Sequence, residues 1–80
     1  MILEILSPQK TIFSGEIDLI KVPGTKGSFE VLKNHAPIIS TLEKGQIKII
    51  KNSGDQSIFE INGGFIEVQN NNIIVLVEMT

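Results

Sequence analysis

The chain has 80 residues, 7 Lys+Arg against 9 Asp+Glu, a net charge of −2 and no cysteine. That size allows one domain, residues 1–80, and the missing thiols exclude a disulfide framework and a thiolate metal site. The weak negative charge argues against nucleic acid as a partner, and 41% hydrophobic residues exclude a disordered acidic tail.

No apolar run approaches the roughly 20 residues that span a bilayer, so direct membrane insertion is not expected. The start, Met-Ile-Leu-Glu-Ile-Leu, has no basic region and is not a signal peptide. The expected compartment is the cytoplasm. The 15 Ile and 5 Val make a quarter of the chain, against a single Ala. β-Branched side chains are stiff at χ1 and suit a pleated surface. No capped stretch with a 3.6 period predicts a helix.

Ile2 to Leu6 reads as a first strand, closed by Ser7-Pro8. Thr11 to Phe13 is a short strand before Ser14-Gly15, and Glu16 to Val22 a longer one. Alternation fails inside the latter; a β-bulge near Asp18-Leu19 puts Ile17, Ile20 and Val22 on one face. Pro23 to Gly27 is a loop, Ser28 to Leu32 a strand, and Lys33-Asn34-His35 a turn. Pro37 to Leu42 is an edge-type strand, because proline cannot donate to a ladder.

Gln46 to Lys51 follows, then a hairpin turn over Asn52 to Asp55 into Ser57–Ile61. Asn62-Gly63-Gly64 turns into Phe65–Gln69, and Asn70-Asn71-Asn72 into Ile73–Met79. About nine short strands punctuated at this spacing predict an all-β fold, a two-sheet antiparallel sandwich or flattened barrel. The expected core contains Ile5, Phe13, Ile20, Val22, Ile47, Ile49, Phe59, Ile61 and Val75.

The last strand puts Ile73, Val75, Val77 and Met79 on one face and Ile74 and Leu76 on the other. Ile50, Ile58 and Phe65 also fall on outer faces. A sandwich buries one face of each sheet, so this surplus is either ordinary scatter or a protein-binding face.

The chemistry is sparse. His35 is the only imidazole, and the carboxylates Glu4, Glu16, Asp18, Glu30, Glu60 and Glu67 sit singly between apolar residues. No nucleophile–base pair or metal set is expected from this pattern. Gly24-Thr25-Lys26-Gly27 lacks Walker-type spacing and has no helix behind it to receive a phosphate. Residue chemistry alone describes a non-catalytic β-sandwich binding module without cofactor or metal, for a peptide or small ligand.

The motif order carries more. Leu6-Ser7-Pro8, Phe13-Ser14-Gly15-Glu16, Val22-Pro23-Gly24, and Gly27-Ser28-Phe29-Glu30-Val31-Leu32 come first. Asn34-His35-Ala36-Pro37, Leu42-Glu43-Lys44-Gly45-Gln46-Ile47 and Asn62-Gly63-Gly64-Phe65-Ile66-Glu67-Val68 follow, before the apolar strand Ile73–Val77. In this order and spacing they resemble the N-terminal β-sandwich domain of the epsilon subunit of F-type rotary ATP synthases.

The resemblance implies a non-catalytic central-stalk (rotor) subunit of an ion-translocating synthase, coupling ion flow to ATP synthesis. Its partners would be the gamma subunit and the ring of c subunits, within a complex that includes the alpha/beta head. Its place would be peripheral, at the cytoplasmic face of a bacterial inner membrane. The resemblance puts Ser7, His35, Ala36, Pro37 and Ser40 toward gamma, and Thr25, Lys26, Gly27, Ser28 and Phe29 toward the ring. Ser28 stands where many relatives carry an acidic residue, leaving Glu30 as the nearby carboxylate. Asn34 replaces a glycine common in relatives and tolerates positive φ. Relatives usually continue into a C-terminal helical pair, which is expected to be absent from this 80-residue chain.

Overall fold

Alternating β-branched residues build seven strands in the computed structural model, which describes residues 1–79. They are β1 (Ile2–Leu6), β2 (Thr11–Val22), β3 (Phe29–Leu32), β4 (Ile38–Leu42), β5 (Gly45–Lys51), β6 (Gln56–Gln69) and β7 (Asn72–Met79). Strands β1, β7, β6, β5 and β2 follow one another around a ring that the β1–β2 ladder closes. β3 is added beside β2, and β4 beside β6. All ladders are antiparallel except β1–β7, which is parallel and sets Ile2 beside Asn72 and Leu6 beside Leu76.

The nine expected segments are present, but seven strands carry them. Thr11–Phe13 and Glu16–Val22 are one strand, and so are Ser57–Ile61 and Phe65–Gln69; Asn62-Gly63-Gly64 is not a turn. Each long strand changes partner at a bulge. β2 pairs with β1 up to Glu16 and with β3 from Leu19, and its register against β5 slips between Ile17 and Leu19. β6 pairs with β5 up to Ile61 and with β4 from Gly64, and its register against β7 slips between Ile61 and Gly63. A bulge adds one residue, bends the strand and sharpens its twist. The two bends fold the sheet over itself. One layer holds β3, the second half of β2, β5 and the first half of β6. The other holds the first half of β2, then β1, β7, the second half of β6 and β4.

The core lies between the layers. Leu3, Ile5, Ile17, Ile20, Val22, Val31, Leu42, Ile47, Ile49, Ile61, Ile66, Val68, Ile73, Val75 and Val77 are buried, with no buried polar side chain among the described residues. The bulge at Asp18 puts Ile17, Ile20 and Val22 inside as expected. Phe13 and Phe59 are only half-buried; their rings meet at 6.4 Å and 59° and cover the edge of the core. Both rings pack against the Ile and Val core from its rim, and Lys51 Nζ lies 5.7 Å from the Phe13 ring centre. Met79 is 40% exposed, and its ladder partner Ile61 stands next to the β6 bulge.

A candidate protein-docking site

Gly24 and Leu42 form an isolated antiparallel bridge that joins the β2–β3 loop to the end of β4. Thr25 N–H donates to the Thr41 carbonyl at 3.1 Å, and Glu43 N–H to the Pro23 carbonyl at 2.8 Å. The Thr25 and Thr41 hydroxyls lie 2.8 Å apart. Gly27 N–H closes the loop onto the Gly24 carbonyl at 2.9 Å. Gly24 has no room for a side chain, since a Cβ would stand 2.7 Å from the Gly27 oxygen and 2.9 Å from Phe29. The loop is thus fixed against β4, and Lys26, Gly27, Ser28 and Phe29 share one groove with Ile38, Ile39 and Ser40. Ser40, expected on the other surface, stands beside the loop residues, its hydroxyl 3.1 Å from the Thr41 carbonyl.

The turn carrying His35 is held at its start. Asn34 has φ +66°, and His35 N–H donates to the Leu32 carbonyl at 3.2 Å. His35 Nδ1 lies 2.7 Å from the Ala36 carbonyl, a contact inside the turn. Ala36 and Pro37 are exposed. Pro37 precedes β4 and borders a groove with Glu67 and Gln69.

Ser7 sits at the other end of this layer. Its hydroxyl accepts the Lys10 N–H at 3.3 Å and donates to the Lys10 carbonyl at 3.1 Å, tying the β1–β2 connection. It lines a groove of about 380 Å³ with Leu6, Pro8, Phe65 and Leu76. The row beside it runs Leu6, Leu76, Phe65, Thr41 across four strands. Three steps at about 4.8 Å each separate β1 from β4 by roughly 14 Å. His35 lies beyond Ile38, at the opposite end of β4, so Ser7 and His35 are not neighbours.

What joins them is the outer face of the layer. Behind the first row stands a second, Glu4, Ile74, Glu67, Ile39, and behind that Ile2 with Asn72 and Gln69. Ile39 is 67% exposed, Leu76 44%, Ile2 43% and Ile74 38%. Glu4 and Glu67 are the charged groups of these rows, and no lysine stands in them. The opposite layer presents another outer face, with rows Leu32, Leu19, Ile50, Gln56 and Glu30, Lys21, Lys48, Ile58. There Lys21 and Lys48 are direct cross-strand neighbours.

Sequence parity finds Ile74, Leu76, Phe65, Ile50 and Ile58 on outer faces, and the structure agrees. It passes over Ile39, Ile2 and Leu32. The signal for Ile39 is the Ile38-Ile39 pair, since two adjacent apolar residues in a strand cannot both face the core. Among the described residues no three His, Asp or Glu side chains come together as a metal site. No helix of these residues is long and apolar enough to cross a membrane.

Comparison with known proteins gives a family. Residues 1–80 match the family described as ATP synthase, Delta/Epsilon chain, beta-sandwich domain. The chain is 43% identical over 76 residues to the ATP synthase epsilon chain of Chlorobaculum tepidum, covering 95% of this chain and 86% of that one. Against the ATP synthase epsilon chain of Dichelobacter nodosus identity is 40% over 74 residues, and the chain spans 52% of that relative's length. Among solved structures, a chain of the Euglena gracilis mitochondrial ATP synthase superposes with a TM-score of 0.90 at 22% identity, over 96% of this chain and 49% of that one. A chain of the Tetrahymena thermophila mitochondrial ATP synthase central stalk and c-ring gives 0.80 at 22%, over 98% and 63%. At that identity the two structures speak for the fold.

Proposed function

The chain belongs to the ATP synthase delta/epsilon family, and from that premise we propose that it is a non-catalytic subunit of the rotor, coupling ion flow to ATP synthesis. It docks on the gamma subunit and on the ring of c subunits, in a complex with the alpha/beta head. It works peripherally, at the cytoplasmic face of a bacterial inner membrane, through residues 1–80 as one sandwich domain.

The observation that supports this reading is the outer face of Leu6, Leu76, Phe65, Ile74 and Ile39. A largely apolar sheet face that carries Glu4 and Glu67 among its apolar side chains suits a partner that is itself apolar and carries basic side chains. We assign this face to gamma. Ser7 stands at one end of it and His35, Ala36 and Pro37 at the other, so one broad partner reaches both; Ser40 borders the groove on the inner side of β4. The fixed loop Thr25, Lys26, Gly27, Ser28 and Phe29 is assigned to the ring. A loop bonded to β4 at its root transmits force without yielding, which a torque-bearing contact requires.

Reconstitution tests the reading. Leu76→Asp places a buried charge at the centre of the gamma contact and is expected to weaken assembly with gamma at least tenfold. The side chain is already exposed, so the free domain keeps its strand spectrum. His35→Asp is expected to weaken assembly less, from the rim. Wild-type affinity in the Leu76 variant would remove the assignment of this face.

A further inference from the structure

β4 has one bonded edge and one free edge. Its ladder pairs Ile38, Ser40 and Leu42 with Val68, Ile66 and Gly64 of β6. On the other side, the Thr41 carbonyl and the Glu43 N–H are taken by Thr25 and Pro23. The N–H and C=O of one strand residue leave by the same edge, and successive residues alternate. Ile39, two residues before Thr41, therefore directs both groups away from β6. Neither has a hydrogen-bond partner among the described residues.

β3 repeats the arrangement. The Leu32 carbonyl turns outward to accept the His35 N–H, so by the same alternation the N–H and C=O of Glu30 point away from β2. No ladder joins β3 to β4 among the described residues. Near them lies an open groove of about 490 Å³ lined by Lys26, Gly27, Ser28, Phe29, Ile38, Ile39 and Ser40. Free edges are normally blunted by proline, lysine, a bulge or a covering loop. Here Pro37 stops the edge on one side and the Pro23–Thr25 segment covers it on the other. Ile39 is the uncovered step between them.

We propose that β4 accepts an extended segment of a second protein by strand addition at Ile39, with one apolar side chain of that segment lying against Phe29 and Ile38. The chemistry selects the occupant. A donor and an acceptor from one residue, pointing off an exposed edge beside an apolar groove, are answered by extended backbone. A helix has no free backbone groups along its side, and an apolar small molecule leaves both groups unpaired. The edge adjoins both proposed contacts, since the Ile39 side chain lies on the face assigned to gamma and Phe29 in the loop assigned to the ring; the test therefore uses the free chain, where neither partner covers it.

The probe is the acetylated and amidated hexapeptide Gly-Phe-Ile-Glu-Val-Gln, the sequence of residues 64–69, of which 64–68 already pair with β4 from its bonded side. It is titrated into the isotope-labelled chain and followed by amide shifts and hydrogen exchange. The Ile39 amide is expected to shift and to exchange at least roughly tenfold more slowly, while the Ile38 and Ser40 amides keep their protection. A peptide N-methylated at alternate residues on its bonding edge is expected to leave Ile39 unchanged. Ile39→Pro removes the free donor without touching the β6 ladder and is expected to weaken binding by about tenfold or more. If that variant does not fold, the N-methylated peptide still decides. The proposal is overturned if Ile39 is unaffected at millimolar peptide, if the N-methylated peptide binds equally well, or if the shifts fall on Leu76 and Phe65 instead. Concentration-dependent dimerisation through Ile39 without peptide also overturns it, assigning the edge to a second copy of this chain.

Discussion

Asn34 and Asn71, 37 residues apart, hold each other by two hydrogen bonds: Asn34 N–H donates to Asn71 Oδ1 at 2.6 Å, and Asn71 Nδ2 donates to Asn34 Oδ1 at 3.1 Å. Both have positive φ, at +66° and +60°. Asparagine is among the few residues that adopt this conformation readily, and Asn70-Asn71 forms the two-residue hairpin turn such angles favour. The pair clamps the His35 turn to the β6–β7 turn. Asn71→Gly keeps the backbone and loses the side-chain bonds, with an expected loss of about 0.5–1.5 kcal/mol per bond. Asn71→Ala loses the bonds and strains the turn as well. Urea unfolding is expected to rank wild type above the glycine variant and the glycine variant above the alanine one.

Gly64→Ala is expected to be severe. A Cβ there would overlap the Leu76 carbonyl oxygen and come within 3.1 Å of Val77 Cα, both backbone atoms of the neighbouring strand. β7 cannot yield without opening the β6–β7 and β1–β7 ladders together. A loss of more than about 3 kcal/mol, or failure to fold, is the expected result, read by thermal unfolding.

Isoleucines on the two faces of one layer separate burial from residue type. Ile66 is fully buried and Ile39 is 67% exposed. Ile66→Ala is expected to lose about 2–5 kcal/mol, and Ile39→Ala to stay within about 0.5 kcal/mol of wild type, both by urea unfolding.

Lys21 and Lys48 stand opposite each other across β2 and β5. Like charges directly opposite destabilise a sheet. Lys48→Glu gives Lys21 an opposite charge at the same distance, and the expected gain is about 0.2–1 kcal/mol at low salt, shrinking as salt is added.

Alternation made most of the fold legible, because each slip of one residue would turn Ile47 and Ile49 outward and Lys48 inward. Two places resisted. Ser14-Gly15 and Asn62-Gly63-Gly64 have turn composition, yet both lie inside long strands, where partners distant in sequence hold the backbone extended and glycine serves a bend and a close approach. The parallel β1–β7 ladder has no local signal, since nothing near Ile2 records that Asn72 lies beside it. For the site, the family motifs located the loop and the turn, but only register separates Ser7 from His35 and puts Ser40 with Phe29. The free edge at Ile39 was invisible for the same reason: it exists because β3 and β4 do not pair.

The parallel ladder also orders events at the ribosome. β1 and β2 precede β7 along the chain, and the β7 partners of β1 begin 70 positions later, with Asn72 beside Ile2. Until Met79 has cleared the exit tunnel, Leu3 and Ile5 have one bonded flank and an open one. Long-range closure of this kind is slow, because chain entropy is lost before the contact forms. Until β7 is available the barrel stays incomplete, and β7 is the stave that seals it.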